Sequence, residues 1–168
     1  MHLKEPGMHE DWKFHHVGIV VRDKDKAIEF YQALSIGPFS SFVGPSGLTV
    51  TETKVRGKAA GQSFLECSTA LGGSRFTVIQ PLEGGESVYN EFLEKKGEGL
   101  HHIAFIVDDL DKEIHSMTEM GCSVIQSGTI MQNGKVRSKY CYFDTDKVGG
   151  TIIELVGMVD KGVVPGVV

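Results

Sequence analysis

The sequence predicts an α+β fold in which two β-α-β-β-β modules form one cup-shaped mixed sheet with helices on its outside. Two observations carry this prediction. A segment near the amino terminus recurs 86 residues later, and each copy changes from strand-like to helix-like periodicity. Glycine contributes 21 of the 168 residues, well above the average of about 7%, which favours a strand-rich fold with many turns.

Length, composition and charge limit the classes of function. The 168 residues are 40% hydrophobic and 23% charged, which is typical of one compact globular body. A formal net charge of −5 carries no signature of binding to nucleic acid or to an anionic membrane surface. The amino terminus lacks an apolar signal segment, and the three cysteines show no CxxC spacing. We therefore expect a cytoplasmic protein that acts on a small molecule.

The internal repeat aligns residues 14–28 with residues 100–114 without a gap. About half of the aligned positions are identical, and most of the others exchange one apolar residue for another. Both copies contain a histidine pair, which is His15-His16 in the first and His101-His102 in the second. A histidine pair that opens an apolar strand twice in register indicates two copies of one module.

Each copy predicts a strand followed by a helix. A β-branched segment is followed by Asp23 or Asp109, which can cap a helix, and then by apolar residues at helical spacing. Three further strands are predicted in each module because segments rich in Thr, Val, Phe or Ile alternate with glycine-bearing turns. They cover residues 47–55, 62–68 and 74–80 in the first module, and residues 122–126, 137–143 and 151–156 in the second.

A linker helix is predicted between the modules. Ser87 can cap it, the helix continues through Lys96, and Gly97 ends it. The predicted organisation is an amino-terminal extension at residues 1–12, a first module at 13–84, the linker helix at 85–98, a second module at 99–157 and a tail at 158–168. Together these parts are expected to form one compact domain.

Strand alternation assigns the repeated histidines to faces. The predicted inner faces hold Phe14, His16, Gly18 and Val20 in the first copy, and Leu100, His102, Ala104 and Ile106 in the second. The small residues Gly18 and Ala104 would leave free space beside a histidine, as a ligand or metal pocket requires. His15 and His101 are expected on the bulkier faces, packed under the helices.

Glu154 is the third member of the predicted site. It lies in an apolar strand, where an ionised carboxylate is costly unless it is paired or bound to a metal. Two imidazoles and one carboxylate form a common ligand set for Zn, Fe, Mn, Co or Ni. The residues alone leave other interpretations open: His16 and His102 as hydrogen-bonded core residues, and Glu154 as the partner of Arg75 or Lys13.

A basic cluster in the second module also has two interpretations. Lys135, Arg137 and Lys139 alternate along one predicted strand. Such a cluster is typical of a solvated hairpin, and the alternative is contact with an anionic group of a substrate. The sequence does not choose between these two roles.

Three motifs resemble the vicinal oxygen chelate superfamily, which contains glyoxalases, bleomycin resistance proteins and dioxygenases. They are HHVGIVV at residues 15–21, GLHHIAFIVDD at 99–109 and GTIIEL at 150–155, and the resemblance extends over residues 13–157. The segment GEGLHH at 97–102, directly after the linker helix, is most similar to the methylmalonyl-CoA epimerase-like branch. The resemblance implies that each module forms half of a cup with a divalent metal at its base.

The resemblance also implies the ligands and the cofactor. His16, His102 and Glu154 match the ligand positions for one divalent ion, which can be Co, Mn, Zn, Ni or Fe. A fourth ligand, Gln or Glu in the epimerases, corresponds to Thr77, four residues before Pro81. A hydroxyl is a weak metal ligand, so Thr77 marks either an open position or a residue beside the ligands.

The function implied by the resemblance is that of an epimerase, isomerase or lyase acting through an enolate on a small carbonyl or acyl-CoA substrate. Glu154 and Glu66 are the candidate catalytic residues, and a carboxylate at the rim of the cup is the other interpretation of Glu66. One alternative is an Fe(II) dioxygenase with a two-histidine, one-carboxylate site. A further alternative is a resistance protein that binds a small molecule. A homodimer is also expected from the resemblance.

Overall fold

The computed structural model describes residues 11–44 and 47–159. The strands are β1 (Lys13–Val20), β2 (Ser40–Val43), β3 (Thr49–Val55), β4 (Lys58–Ala59), β5 (Phe64–Leu71), β6 (Ser74–Pro81), β7 (Gly99–Val107), β8 (Val124–Gln132), β9 (Lys135–Phe143) and β10 (Ile152–Met158). The helices are α1 (Lys24–Ala33), α2 (Val88–Lys96) and α3 (Leu110–Glu119). The predicted extension at residues 1–12 and the tail at 158–168 lie largely outside the described residues.

All ten strands join one curled sheet in the order β2-β5-β6-β1-β7-β10-β9-β8-β3-β4. The sheet has two equivalent halves, β2-β5-β6-β1 and β7-β10-β9-β8, which meet where β1 pairs antiparallel with β7. In each half, the strand at the junction pairs parallel with the next strand of its own half: β1 with β6, and β7 with β10. The predicted α+β cup of two related modules is confirmed.

The strand registers reproduce the repeat found in the sequence. His16 lies opposite Ala104 and Gly18 lies opposite His102 across the junction of the halves. Each histidine thus faces the small residue of the other copy, as expected for two modules related by a local twofold axis. The two halves therefore bring His16 and His102 to the same place at the base of the cup.

One predicted strand belongs to the other half of the sheet. The segment predicted at residues 47–55 forms β3, but β3 pairs with β8 of the second half and extends that edge together with β4. The first half is completed instead by β2, a short strand that the sequence analysis did not identify. Pairing between segments far apart in sequence depends on sheet closure and leaves no local periodicity.

The predicted helix caps are present. Asp23 accepts hydrogen bonds from the backbone N–H groups of residues 25 and 26, and Asp109 accepts one from that of residue 112. Ser87 accepts one from the N–H of residue 90, and Gly97 ends α2 with φ +79°. These bonds satisfy backbone donors that a helix start leaves unpaired. Among the described residues, no helix has both the length and the apolar character that a membrane crossing needs.

Three apolar clusters hold the helices to the sheet. α1 packs on the outer face of the first half around Phe76 and Val78, and α3 packs on that of the second half around Phe143 and Leu155. A larger cluster fills the inside of the cup and includes Tyr89 of α2. Helix α2 therefore covers one side of the cup, and the part of the inner face that α2 does not cover is available for the site.

Two β-bulges change the predicted faces of the first histidine in each pair. In the β1–β7 ladder, His15 is the extra residue between Phe14 and His16, and His101 is the extra residue between Leu100 and His102. A bulge interrupts the alternation and turns the extra side chain toward the same face as its neighbour. His15 and His101 therefore lie inside the cup. His15 lines the inner pocket, so its predicted place under a helix is wrong, whereas His101 packs against Tyr89 and Phe92 of α2 and does lie under a helix.

The same bulges also change the face of the residue that precedes each histidine pair. Phe14 was predicted on the inner face, but it is half exposed and packs against Phe105 in the outer layer. Leu100 is likewise exposed and lies beside α1 on the outside. The inner positions that follow the bulges, from His16 and His102 onward, keep the predicted alternation.

Candidate functional site

Three side chains predicted as ligands meet at the base of the cup. The Nε2 atoms of His16 and His102 are 3.0 Å apart. Oε2 of Glu154 lies 3.1 Å from Nε2 of His16 and 3.3 Å from Nε2 of His102. All three residues are buried, with at most 7% of their surface exposed. Residues from both halves of the sheet thus present three donor atoms to one another.

The chemistry and spacing of these atoms fit a divalent metal. Oε2 of Glu154 is buried without a hydrogen-bond partner among the described residues, which is unfavourable for a carboxylate unless a cation compensates it. Two atoms bound at about 2.1 Å to one ion are about 3.0 Å apart at a right angle and about 3.4 Å apart at the tetrahedral angle. The three observed separations fall in this range. His16, His102 and Glu154 are also the group of described residues that could hold a metal ion.

The bulged histidines support the two ligand histidines. Nδ1 of His15 lies 2.8 Å from Nδ1 of His16, and Nδ1 of His101 lies 3.0 Å from Nδ1 of His102. An imidazole that binds a metal through Nε2 carries its proton on Nδ1 and can donate it to such a neighbour. Each histidine pair therefore fixes a ring so that its Nε2 points to the centre.

Burial keeps three of these four imidazoles neutral. It lowers the pKa of His15 to about 3, helped by neighbouring positive groups, and it lowers the pKa of His101 to about 3 although the charge of Asp146 acts in the opposite direction. Burial also lowers the pKa of His102 far below its usual value, and His16 and His101 add to the effect. Neutral imidazole is the form that binds metal, so the site holds His102 ready for coordination.

Gly18 makes room for the His102 ring. A Cβ atom added at Gly18 would lie 2.0 Å from Cε1 and 2.3 Å from Nε2 of His102. The free space predicted beside the histidine is therefore occupied by the histidine of the opposite strand. The φ of Gly18 does not lie in the left-handed region, so the backbone conformation does not require glycine. Glycine is needed here because the His102 ring occupies the place of a Cβ atom.

Thr77 occupies the place in the first half that Glu154 occupies in the second. Thr77 pairs with Gly18 across β1 and β6, and Glu154 pairs with Ala104 across β7 and β10. The Thr77 hydroxyl is buried and donates a hydrogen bond to the carbonyl oxygen of Val17 at 3.3 Å. The proton of the Thr77 hydroxyl is engaged in this bond. The role of Thr77 as an open metal position or as a residue beside the ligands stays a prediction.

A pocket opens from two of the three ligand residues, His16 and Glu154, along the inner face of the cup. Its empty volume, which includes space open to solvent, is ≈ 540 Å³. The polar side chains along it come from both halves and include His15, His16, Glu66, Arg75, Arg137 and Glu154. The pocket therefore joins the candidate metal ligands to the predicted catalytic carboxylate.

Glu66 lies in this pocket on β5, across the cup from Glu154 of β10. Burial raises the pKa of Glu66 from 4.5 to about 7, the charge of Glu154 raises it further, and His16 and Arg75 lower it. A carboxyl group with such a pKa can accept or release a proton near neutral pH. This environment differs from that of a carboxylate on an exposed rim.

Aromatic side chains that the sequence analysis did not single out line the second half. The Tyr89 and Tyr142 hydroxyls are 2.7 Å apart, and the Tyr142 ring centroid is 5.0 Å from that of His102. Burial raises the pKa of both tyrosines well above 10, so they stay protonated. Tyr140 also lines the pocket. The alternation of Tyr140 and Tyr142 within one predicted strand is the signal that could have identified them.

Among residues 11–44 and 47–159, no ion pair joins Glu154 to Arg75 or to Lys13. Arg75 donates a short hydrogen bond to the hydroxyl of Ser68, while Glu154 faces the two histidines. Arg137 of the basic cluster turns into the pocket, and Lys135 and Lys139 remain exposed. The basic cluster is therefore divided between a solvated hairpin and the inner surface.

Comparison with known proteins connects this geometry to a family. Residues 15–142 match the glyoxalase/bleomycin resistance protein/dioxygenase superfamily. The chain belongs to this superfamily. The matched range contains His16, Glu66 and His102, and the resemblance noted from the sequence motifs is thus confirmed.

Comparisons with individual proteins show how far the similarity extends. The uncharacterized protein YqjC of Bacillus subtilis is 28% identical over 143 residues, which cover 83% of this chain and 88% of that protein. Methylmalonyl-CoA epimerase from Mycobacterium tuberculosis has 26% identity and a TM-score of 0.61 over 89% of both chains. The hypothetical protein BH1468 from Bacillus halodurans has 22% identity and a TM-score of 0.64, covering 90% of this chain and 98% of its own, and it shows the shared fold.

Proposed function

We propose that this protein is a metal-dependent epimerase or isomerase that moves a proton at the carbon next to a carbonyl group. The observation that carries the proposal is the meeting of His16, His102 and Glu154 at 3.0–3.3 Å, beside a pocket that His16, Glu154 and Glu66 line together. The similarity to methylmalonyl-CoA epimerase supports this chemistry and an acyl-CoA or other small carbonyl substrate.

His16, His102 and Glu154 would hold the metal. A divalent ion at this place supplies positive charge that polarises a carbonyl oxygen and stabilises the negative charge formed when the adjacent carbon loses a proton. The histidine pairs keep both Nε2 atoms aimed at one point, so little reorganisation accompanies binding. The metal is Co, Mn, Zn, Ni or Fe in this proposal, since each accepts two imidazoles and a carboxylate.

Glu66 is the proposed acid–base residue. Its carboxylate takes the proton from one face of the carbon next to the carbonyl, and inversion is completed when a proton is delivered to the opposite face, on the side of Glu154. A pKa of about 7 allows Glu66 to accept the proton in one direction and to donate it in the other. Glu154 approaches the pocket from the opposite half, so the two carboxylates bound the substrate on two sides. Tyr89 and Tyr142, which stay protonated, are hydrogen-bonded to each other, and Tyr142 packs against the ring of His102.

Solvent exchange under anaerobic conditions tests the proposal. Protein loaded with Co²⁺ or Mn²⁺ is mixed with methylmalonyl-CoA in deuterated buffer. Proton magnetic resonance then follows the loss of the signal of the hydrogen on the carbon between the two carbonyl groups. We expect exchange with the native chain, and a loss of roughly 100-fold or more with Glu66→Gln. His102→Ala should lose both the metal and the exchange, whereas the surface variant His115→Ala should keep both.

Other outcomes point to other functions of the same site. If no deuterium exchange occurs under anaerobic conditions and the protein consumes oxygen when a catechol is added, the function would be that of an Fe(II) dioxygenase that uses the same ligands. Tight binding of small molecules without exchange or oxygen uptake would indicate a resistance protein. A Glu66→Gln variant with native exchange would remove Glu66 from the mechanism but leave the metal site in place.

A further inference from the structure

Two arginines from opposite halves of the cup meet over one aromatic ring. Cζ of Arg75 lies 4.8 Å from the centroid of the Phe42 ring, and Cζ of Arg137 lies 5.6 Å from the same centroid. Arg75 belongs to β6 in the first half, and Arg137 belongs to β9 in the second. All three residues line the pocket that contains His16 and Glu154.

Within the part of the chain that the structure describes, neither guanidinium group forms a direct ion pair with a carboxylate, although the charge of Glu66 acts on Arg75 through space. Arg75 donates to the hydroxyl of Ser68, and Arg137 donates to the side-chain oxygen of Gln132 at 3.0 Å. Both partners are uncharged, and both arginines are partly buried. Two like charges that share one ring and are partly shielded from water repel each other, and an anion between them would relieve this repulsion.

Strand irregularities place two of the three residues in the pocket. Phe42 is the extra residue of a bulge in β2, between the pairs of Ser41 with Cys67 and Val43 with Glu66. Arg137 is the extra residue of a bulge in β9, where Met131 pairs with Val136 and Ile130 with Ser138. Bulges aim side chains away from the direction that alternation would give them, and they are frequent beside active sites.

His15 connects this arginine pair to the candidate metal ligands. It contacts His16 through the two Nδ1 atoms at 2.8 Å, and it lines the same pocket as Arg75 and Arg137. The arginine pair and the ligand histidine His16 are therefore connected along one inner surface. One small molecule can reach both places along the same pocket.

We propose that Arg75 and Arg137, stacked on Phe42, form a binding site for an oxyanion, either a carboxylate or a phosphate group of the substrate. Planar guanidinium groups bind such groups through paired hydrogen bonds, and the aromatic ring keeps them in position. The substrate is then a small carbonyl compound that also carries an anionic group. This substrate class rests on the proposed function, whereas the anion site itself does not.

Binding to metal-free protein tests the anion site without contribution from the ligand residues. The full chain is stripped of metal with a chelator, dialysed, and titrated by calorimetry with methylmalonate, with inorganic phosphate and with the uncharged methylmalonamide. We expect an anion to bind and the diamide not to bind. Arg137→Gln and Arg75→Gln should each weaken anion binding roughly tenfold or more.

Lys139→Gln provides the matched control. It removes one positive charge from the same strand at an exposed position, so it reports the effect of net charge alone, and we expect binding within about twofold of the native chain. Thermal unfolding of each variant confirms that it is folded. Binding of methylmalonate but not phosphate identifies a carboxylate, and the reverse identifies a phosphate.

Two results would overturn the anion site: equal binding of acid and diamide, or native anion affinity in the Arg75→Gln/Arg137→Gln double variant. Loss of deuterium exchange or of metal binding changes neither of these measurements. Failure of the proposed function and failure of the anion site are therefore distinguishable.

Discussion

At the scale of single residues, the site depends on how closely β1 and β7 approach each other. Gly18 lies under the His102 ring, and a methyl group at this position would overlap Cε1 at 2.0 Å. Both the ring and the strands are fixed, because His102 is fully buried and contacts His101 and Tyr142. The absence of one side chain is thus a condition for bringing two ligand atoms together.

The variant Gly18→Ala is expected to displace the His102 ring. We expect weaker metal binding and a loss of about 1–3 kcal/mol in the free energy of unfolding, since overpacking at a buried position costs this much. Calorimetry with Co²⁺ and urea unfolding measure the two effects. Gly61→Ala is the matched control because no atom lies within 4 Å of its added Cβ. Native metal affinity in Gly18→Ala would show that the ring position is not critical.

A second residue-scale prediction concerns Glu66 and pH. Its pKa is about 7 in the folded chain and 4.5 for the unperturbed group, mainly because of burial. Between these values Glu66 holds more protons in the folded chain than in the unfolded chain, so its contribution to the free energy of unfolding should fall as pH rises from 4.5 to about 7, opposite in sign to the contributions of His15 and His101. In metal-free Glu66→Gln this contribution is absent. Urea unfolding at several pH values should show the variant gaining stability relative to the native chain, and a constant difference would contradict the raised pKa.

At the scale of elements, the sequence was sufficient for what is local and repeated. The capping residues Asp23, Asp109 and Ser87 start the three helices as predicted. The repeat identified His16 and His102 as equivalent because strand alternation holds beyond the bulges. Glu154 followed from the cost of a carboxylate in an apolar strand.

What the sequence could not predict are changes of register and long-range pairing. A bulge adds one residue to a ladder without changing composition or periodicity nearby, so the inward positions of His15, His101 and Arg137 had no visible signal. The transfer of β3 to the second half depends on which edge is free when the cup closes. These irregularities determine the inner surface, so the pocket was less predictable than the fold.

At the scale of the whole molecule, the candidate metal site joins the two modules. His16 comes from the first half, and His102 and Glu154 come from the second. In the absence of metal, the close contact of their donor atoms leaves a buried carboxylate oxygen without a hydrogen bond among the described residues. A divalent ion would replace this unfavourable contact by bonds that connect both halves, so binding and folding should be coupled.

This coupling predicts a metal-dependent stability of the entire chain. With free Co²⁺ at 100 times its dissociation constant, the free energy of unfolding should increase by about 2.7 kcal/mol, provided that the unfolded chain does not bind the ion. His16→Ala and Glu154→Ala should each abolish the increase although they lie in different halves, and the exposed His115→Ala should retain it. Urea unfolding with and without Co²⁺ measures the effect. If His16→Ala kept the full increase, the ion would be held by the second half alone, and the site would not join the modules.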